Sequence, residues 1–320
     1  MMTSTSELVQ LDAIRDAQQV IAAHVHRTPV MSSSYLSQRA GARVILKLEL
    51  FQKTGSFKVR GVMNALHHLT ADERARGVIS LSAGNHAQAL AWGASRLGLR
   101  STIVMPLTAA SSKVDATRGY GGEVVQTDGD LLATALELQR ERGLTLVHPF
   151  DDARVITGQG TVGVEIVEDV PDVDVVIVAC GGGGLISGVA AAIRALRPDT
   201  RIIGVEPEGA DAMSRSLAAG SPQRLSTTNT VADGLAAPFA GVRNFAHCRV
   251  LVDEWIVVSD AEIVAAMRVL MERCKVLPEA AGAAAVVPLL TGRLTLPPDA
   301  TVVPIICGGN IDLERLKQLL

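Results

Sequence analysis

Short runs of aliphatic and β-branched residues alternate with alanine-rich stretches of helical period along most of this chain. That alternation restricts the fold more than any other feature. Runs at 78–81, 102–105, 123–126, 144–147, 173–179, 201–205, 250–252 with 256–258, and 301–306 read as strands, after a first strand over Val44 to Leu50. Stretches at 59–69, 86–97, 129–141, 158–168, 185–196, 260–273, 280–290 and 311–319 read as helices. Before them, Ser4-x-x-Glu7 has the form of a capping box and leads into apolar residues at helical spacing from Leu8 to Val25. Nearly continuous apolar strands separated by helices argue a parallel α/β sheet covered on both faces. Aromatics make up only 3% of the chain, so the core must be built from Val, Leu, Ile and Ala. No repeat and no low-complexity linker divides the 320 residues, and 209–245 is the least regular segment, expected to form loops near a site or interface.

Charge and composition exclude several function classes. Thirty Lys+Arg against 33 Asp+Glu give a net charge of −3, which offers no footprint for a nucleic-acid partner. Apolar stretches are broken by Gly, Asp or Pro well short of the ~20 residues of a membrane span, and the first residues show neither a basic region nor an apolar core of a secretory signal. Cys180, Cys248, Cys274 and Cys307 are widely spaced and form no CxxC, which argues against zinc and for reduced thiols in a cytoplasmic protein.

In parallel sheets ligands bind beyond the carboxyl ends of strands. Four such junctions carry unusual residues. In Thr54-Gly55-Ser56-Phe57-Lys58 a lysine stands near a helix start, where the dipole opposes a cation and burial lowers an amine pKa, as a Schiff-base nucleophile requires; a surface lysine beside a turn is the plain alternative. Ser82-Ala83-Gly84-Asn85-His86 could hold an anion on backbone amides, or Ser82 or Asn85 could be a simple N-cap and His86 a core histidine. Cys180-Gly181-Gly182-Gly183-Gly184-Leu185 follows a strand and precedes a helix, and only glycine turns so many amides toward one phosphate. A dinucleotide site is its rival, because Glu206 ends the next strand; but GxGxxG fails in both registers, with Ile186 and Ser187 at the sixth position. The fourth junction is Cys307-Gly308-Gly309-Asn310, whose thiol could simply be buried and inert.

Together and in order, these motifs resemble the fold-type II (tryptophan synthase β-like) pyridoxal-phosphate enzymes, and within them the serine/threonine dehydratases and serine racemases. The resemblance runs from His26-Arg27-Thr28-Pro29 to the last helix. It includes Lys47-Leu-Glu49, Lys58-x-Arg60-Gly61, His148-Pro149-Phe150-Asp151-Asp152, Gly158-Gln159-Gly160-Thr161, Val205-Glu206-Pro207 and Glu279-Ala-Ala-Gly282. It implies two parallel-sheet α/β domains with the site in the cleft between them: a large cofactor-binding domain of residues 1–52 and 153–320, and a small inserted domain of 53–152. It implies pyridoxal 5'-phosphate (PLP) joined to Lys58, Phe57 against the ring, Asn85 on the ring hydroxyl, Gly181, Gly182, Gly183, Gly184 and Leu185 on the phosphate, and Cys307 at the pyridine nitrogen. Ser82, Ala83, Gly84, Asn85 and His86 would grip the substrate carboxylate, and Lys58 would move the Cα proton.

The implied reaction is β-elimination from a small 3-hydroxy amino acid, by default L-threonine or L-serine, to a 2-oxo acid and ammonia. 3-Hydroxyaspartate and phenylserine are alternatives within the family; a nucleotide-binding oxidoreductase is the rival of another class. Related serine racemases carry Ser-Ser-Gly-Asn-His, whose second serine is a base, whereas this chain has Ala83, and Phe150 also matches dehydratases. A divalent cation on Glu206 and the Ala210 carbonyl lacks its third ligand, because Ala212 replaces the expected Asp; neighbouring Asp211 could substitute, or the site could take a monovalent ion. A homodimer or homotetramer is implied, and the chain's end at Leu320 leads us to expect no C-terminal regulatory domain.

Overall fold

A computed structural model describes residues 8–320, so the Ser4-x-x-Glu7 capping box lies outside the described residues. Among the described residues ten strands form two sheets: β1 (Val30–Ser32), β2 (Arg43–Lys47), β3 (Val78–Leu81), β4 (Ser101–Pro106), β5 (Glu123–Thr127), β6 (Thr145–Leu146), β7 (Val175–Ala179), β8 (Arg201–Pro207), β9 (Glu254–Val258) and β10 (Thr301–Pro304). The larger sheet runs β1-β2-β10-β7-β8-β9 and the smaller β5-β4-β3-β6. Every pairing is parallel except β1 with β2. The smaller sheet therefore forms from chain inserted between β2 and β7. All five residues of β7 are buried, as expected of a strand covered on both faces.

Several boundaries differ from the sequence expectation, each for a local reason. The strand expected over Val44 to Leu50 ends at Lys47, and Glu49–Phe51 forms a 3-10 turn. That turn delivers the Glu49 carboxylate to Arg60. Residues 250–252 close the helix Val242–Leu251 or follow it, and only Glu254–Val258 is strand; three apolar residues are too few to reveal a period. The helix expected over 280–290 breaks into Ala280–Ala283, a 3-10 turn Ala284–Val286, and Val287–Thr291. Pro288 has no amide to donate and its ring collides with the carbonyl four residues back. The segment 260–273 is helical to Val269 and finishes in a π turn, Leu270–Cys274. Strand β1 and the helices Ser34–Ala40, Ala71–Arg76, Ser111–Gly119, Ala212–Ala219 and Val242–Leu251 were not expected from the periodicity.

Three helices set the positions of the functional loops. The helix Ala153–Asp169, capped by Asp152 through the Arg154 amide (2.8 Å), lies between Lys58–His67 and Gly184–Leu196. Glycines allow backbone-to-backbone approach on both sides. A Cβ at Gly158 would lie 2.6 Å from the Arg60 carbonyl oxygen, and one at Gly188 would lie 2.3 Å from that of Ile156. The helix that begins with Lys58 and the helix that follows the glycine loop are thus registered against one common helix.

An ion network fastens the same region. Arg60, fully buried, donates to Glu49 (Nη2–Oε1 2.8 Å) and Glu165 (Nη1–Oε1 2.7 Å), and buried Lys47 joins Glu165 at 2.7 Å. Arg60 also reaches Thr161 Oγ1, and Thr28 donates to Glu49. Lys47, Glu49, Arg60 and Thr161, which the sequence marks as motif residues, hold helices and strand ends together. Among the described residues no helix is long and apolar enough to cross a membrane, and all four cysteines are buried free thiols.

Candidate active site

The carboxyl ends of strands from both sheets face one cavity of about 1050 Å³. All four glycine-bearing junctions line it: Phe57 and Lys58, Ser82 to His86, Cys180 to Leu185, and Cys307 with Asn310. Backbone bonds stitch the first junction to the last. Phe57 N donates to Cys307 O (3.2 Å) and Gly309 N to Gly55 O (2.9 Å). Gly55 has φ +72°, and a Cβ there would sit 2.2 Å from Asn310 Oδ1, so no other residue fits.

Lys58 opens its helix, and its Nζ donates to Pro149 O at 2.9 Å, 5.1 Å from the Phe57 ring centroid. Burial lowers its pKa to about 8, against the opposing pull of Cys307 and Glu279. An amine so placed is far easier to deprotonate than a solvated lysine. Burial pushes the Cys307 thiol well above its ordinary range, and its Sγ donates weakly to Ala281 O at 3.5 Å. A neutral thiol therefore stands at that end of the cavity.

The glycine loop has the form of an anion cradle. Asn244 Nδ2 holds the Gly182 carbonyl (2.8 Å) and the Phe150 carbonyl (3.1 Å), fixing the loop from behind. Phe150 packs so closely that a Cβ at Gly182 would be 2.4 Å from its ring, and Gly183 has φ +98°. The amides of Gly181, Gly182 and Gly183 donate to no protein acceptor among the described residues, at the start of a 13-residue helix. Unpaired amides at a helix start suit a phosphate.

At the second junction Ser82 Oγ accepts from the Gly84 amide (3.1 Å), while the Asn85 and His86 amides, which begin the helix Asn85–Arg96, make no bond to a described residue. His86 is buried with Nε2 on Val147 O (3.1 Å). Burial and the Lys58 charge drive its pKa down to about 3, so the ring is neutral. Its Nδ1 has no partner among the described residues. Asn85 donates from Nδ2 to Glu279 (2.7 Å) and accepts from Asn310 at Oδ1 (2.8 Å).

Glu206 lies away from the cavity lining. Both carboxyl oxygens cap the helix Ala212–Ala219: Oε1 takes the Met213 amide (2.8 Å), and Oε2 takes the Ser214 amide (2.7 Å) and hydroxyl (2.6 Å). Burial raises it to about 7. The oxygen that a ribose would need is therefore already engaged, which removes the support for the dinucleotide reading. Ala210 is buried nearby, and Asp211 is drawn to Arg215 (2.7 Å). Among the described residues no group of three or more His, Cys, Asp or Glu could hold a metal ion.

Three residues of the site carried no assigned role in the sequence reading. Glu279 and Asn310 stood inside quoted motifs without a function, and Asn244 gave no signal at all, being a lone Asn in the irregular segment. Of that segment, Arg224, Val231 and Asp233 to Phe239 do line the cavity.

A depressed lysine facing an anion cradle and a neutral thiol across one cleft is the arrangement of an enzyme that binds an aldehyde cofactor with a phosphate tail. The chain belongs to the pyridoxal-phosphate dependent enzyme family, which matches residues 21–308; it is an α/β protein of the fold-type II class and uses PLP. It is 42% identical over 317 residues to an L-threonine ammonia-lyase of Thermotoga maritima, covering 98% of this chain and 78% of that protein. It is likewise 42% identical to a catabolic L-threonine dehydratase, TdcB, of Staphylococcus aureus, over 99% of this chain and 93% of the other. The structure of maize serine racemase superposes with a TM-score of 0.93 at 41% identity, covering 97% of this chain and 96% of that one.

Proposed function

We propose that this enzyme dehydrates a small 3-hydroxy amino acid, L-threonine or L-serine first, to a 2-oxo acid and ammonia. The observation that carries this reading is the Lys58 amine, lowered to about 8 and facing the open amides of the glycine loop across one cavity. Bound PLP supplies an electron sink for negative charge at the substrate Cα. Gly181 to Leu185 would hold the phosphate through backbone amides, Phe57 would flank the ring, Asn85 would donate to the ring oxygen, and Cys307 would meet the ring nitrogen. Because burial keeps Cys307 a thiol, it does not act as a strong acid there. The amides at Ser82 to His86 hold the substrate carboxylate. Lys58 would anchor the cofactor, and its amine, when free, would take the Cα proton. Loss of the Cα proton and the β-hydroxyl, together one molecule of water, would leave an enamine, which a second water converts to the oxo acid and ammonia.

Serine racemisation is a second reading, favoured by the superposition on the maize racemase. Against it, position 83 is an alanine, and a methyl group cannot carry a proton to the opposite face. The wall near Arg224, which lies over the Phe239 ring at 4.6 Å, shapes the side-chain pocket, so 3-hydroxyaspartate and phenylserine belong among the substrates tested. We also propose a large domain of residues 1–52 and 153–320 around an inserted domain of 53–152, a homodimer or homotetramer, and a cytoplasmic location; the first is supported by a separate sheet built from the inserted chain, while the larger sheet draws its strands from the chain on both sides of it. The test is 2-oxo acid release from a panel of 3-hydroxy amino acids, with borohydride trapping to identify the labelled lysine. Release with label on Lys58 supports the reading; no oxo acid from any member, or label on another lysine, overturns it.

A further inference from the structure

The hydrogen bonds around Asn85 run in one direction only. The Thr54 carbonyl is a backbone acceptor and cannot become a donor. Asn310 therefore turns its amide nitrogen toward it (2.7 Å) and gives that nitrogen's other hydrogen to Asn85 Oδ1 (2.8 Å). With its oxygen so committed, Asn85 must present Nδ2 on its other side, where Glu279 Oε1 accepts at 2.7 Å. Side-chain amides have distinct donor and acceptor ends. Rotating Asn85 by half a turn would set its oxygen against Glu279 and its nitrogen against the Asn310 nitrogen. One N–H of Asn85 is left without a protein acceptor among the described residues, on a side chain that lines the cavity.

Glu279 is itself pinned. It begins the helix Ala280–Ala283, its amide donates to Gly308 O (3.1 Å), and a Cβ at Gly308 would lie 2.4 Å from Glu279 Oε1 and 3.2 Å from Asn85 Nδ2. The pair fills the space that a side chain at position 308 would need. Asn85 comes from the helix that follows β3 of the smaller sheet and Glu279 from the larger sheet's side, so the bond also crosses the cleft.

We propose that Glu279 is a positioning residue: it fixes the Asn85 amide so that its spare N–H is held toward the cavity as a donor to the ring oxygen of PLP. This rests on reading the cavity as a PLP site. The groups facing Glu279 are Asn85, Lys58, Cys307, Lys113 and Asp233, the last two joined at 3.0 Å. A carboxyl oxygen accepts whether or not the group is protonated, so the hold on Asn85 does not depend on the charge of Glu279.

The test is a double-mutant cycle on the Kd of PLP for the apoprotein, measured by equilibrium dialysis. Glu279→Ala should raise Kd about tenfold, as expected for one fixed hydrogen bond. Asn85→Ala should raise it by a similar factor, and the double variant should be no worse than Asn85→Ala alone. Glu279→Gln, whose amide oxygen can still accept from Asn85, should stay within about twofold of wild type. Glu279→Met, similar in size and without an acceptor, takes the place of Glu279→Ala if the alanine protein does not fold. Losses that multiply in the double variant, or acceptor-less variants that bind PLP like wild type, overturn the role of Glu279 while leaving the PLP reading intact. A wild-type protein that does not bind PLP overturns that reading instead.

Discussion

Raising the pH perturbs Lys58 without altering a residue. The amine must shed its proton before it can attack an aldehyde, and burial takes its pKa from 10.5 to about 8. At pH 7 about one such amine in ten is neutral, against about three in ten thousand for a solvated lysine, a ratio of about 300. Apoprotein mixed with PLP in a stopped-flow spectrometer should develop its visible band at a rate that climbs about tenfold per pH unit below 8 and levels above it. A rate still rising tenfold per unit beyond about pH 9 would show an ordinary solvated amine and refute the argument from burial.

The same depression fixes the sign of a stability effect. Between about pH 8 and 10.5 the unfolded chain keeps a proton on this lysine that the folded apoprotein has lost. The unfolded state then binds more protons, so stability rises with pH through that window, and below pH 8 the cost of burying the ammonium is felt in full. Lys58→Met removes that cost. Its gain in melting temperature over the wild-type apoprotein should be largest below pH 8 and fade toward 10.5; a gain that grows with pH would contradict the assignment.

Three further substitutions probe other parts of the site and its support. Gly182→Ala places a methyl 2.4 Å from the Phe150 ring, so the loop must shift and PLP retention should fall by about tenfold or more, since cradle amides act only when aligned; unchanged retention in dialysis would mean that the loop does not hold the phosphate. Ala83→Ser restores a proton carrier on the opposite face and should raise D-serine formation from L-serine in a chiral assay; no gain would remove the missing base as the explanation. Arg60→Met leaves buried Glu49 without its ion-pair partner and Glu165 with Lys47 only, and should cost about 3–5 kcal/mol in denaturant unfolding, while a loss under about 1 kcal/mol would show that Lys47 alone neutralises both carboxylates.

The parts of this molecule that could be read from its sequence are those whose reason is local. A strand end followed by four glycines is legible because backbone amides hold a phosphate and only glycine lets them all turn inward; Lys58 is legible because its helix start is in the same few residues. The helix expected over 280–290 is broken for an equally local reason, Pro288. By contrast, Asn85 and Glu279 are 194 residues apart, and nothing near either one announces the bond. Asn244, which braces the Gly182 carbonyl from 62 positions away, is one polar residue in an irregular segment. Motif residues gave a third outcome: Lys47, Glu49, Arg60 and Thr161 are recognisable, but their pattern does not say whether they bind substrate or each other, and burial with mutual pairing at 2.7 to 3.2 Å decides for the latter. The division follows from the physics. Holding a cofactor's phosphate uses consecutive amides, whereas aiming a single amide hydrogen needs partners on different strands' loops, and the cavity wall that includes Arg224 and Asp233 to Phe239 has a shape that exists only after the chain has folded.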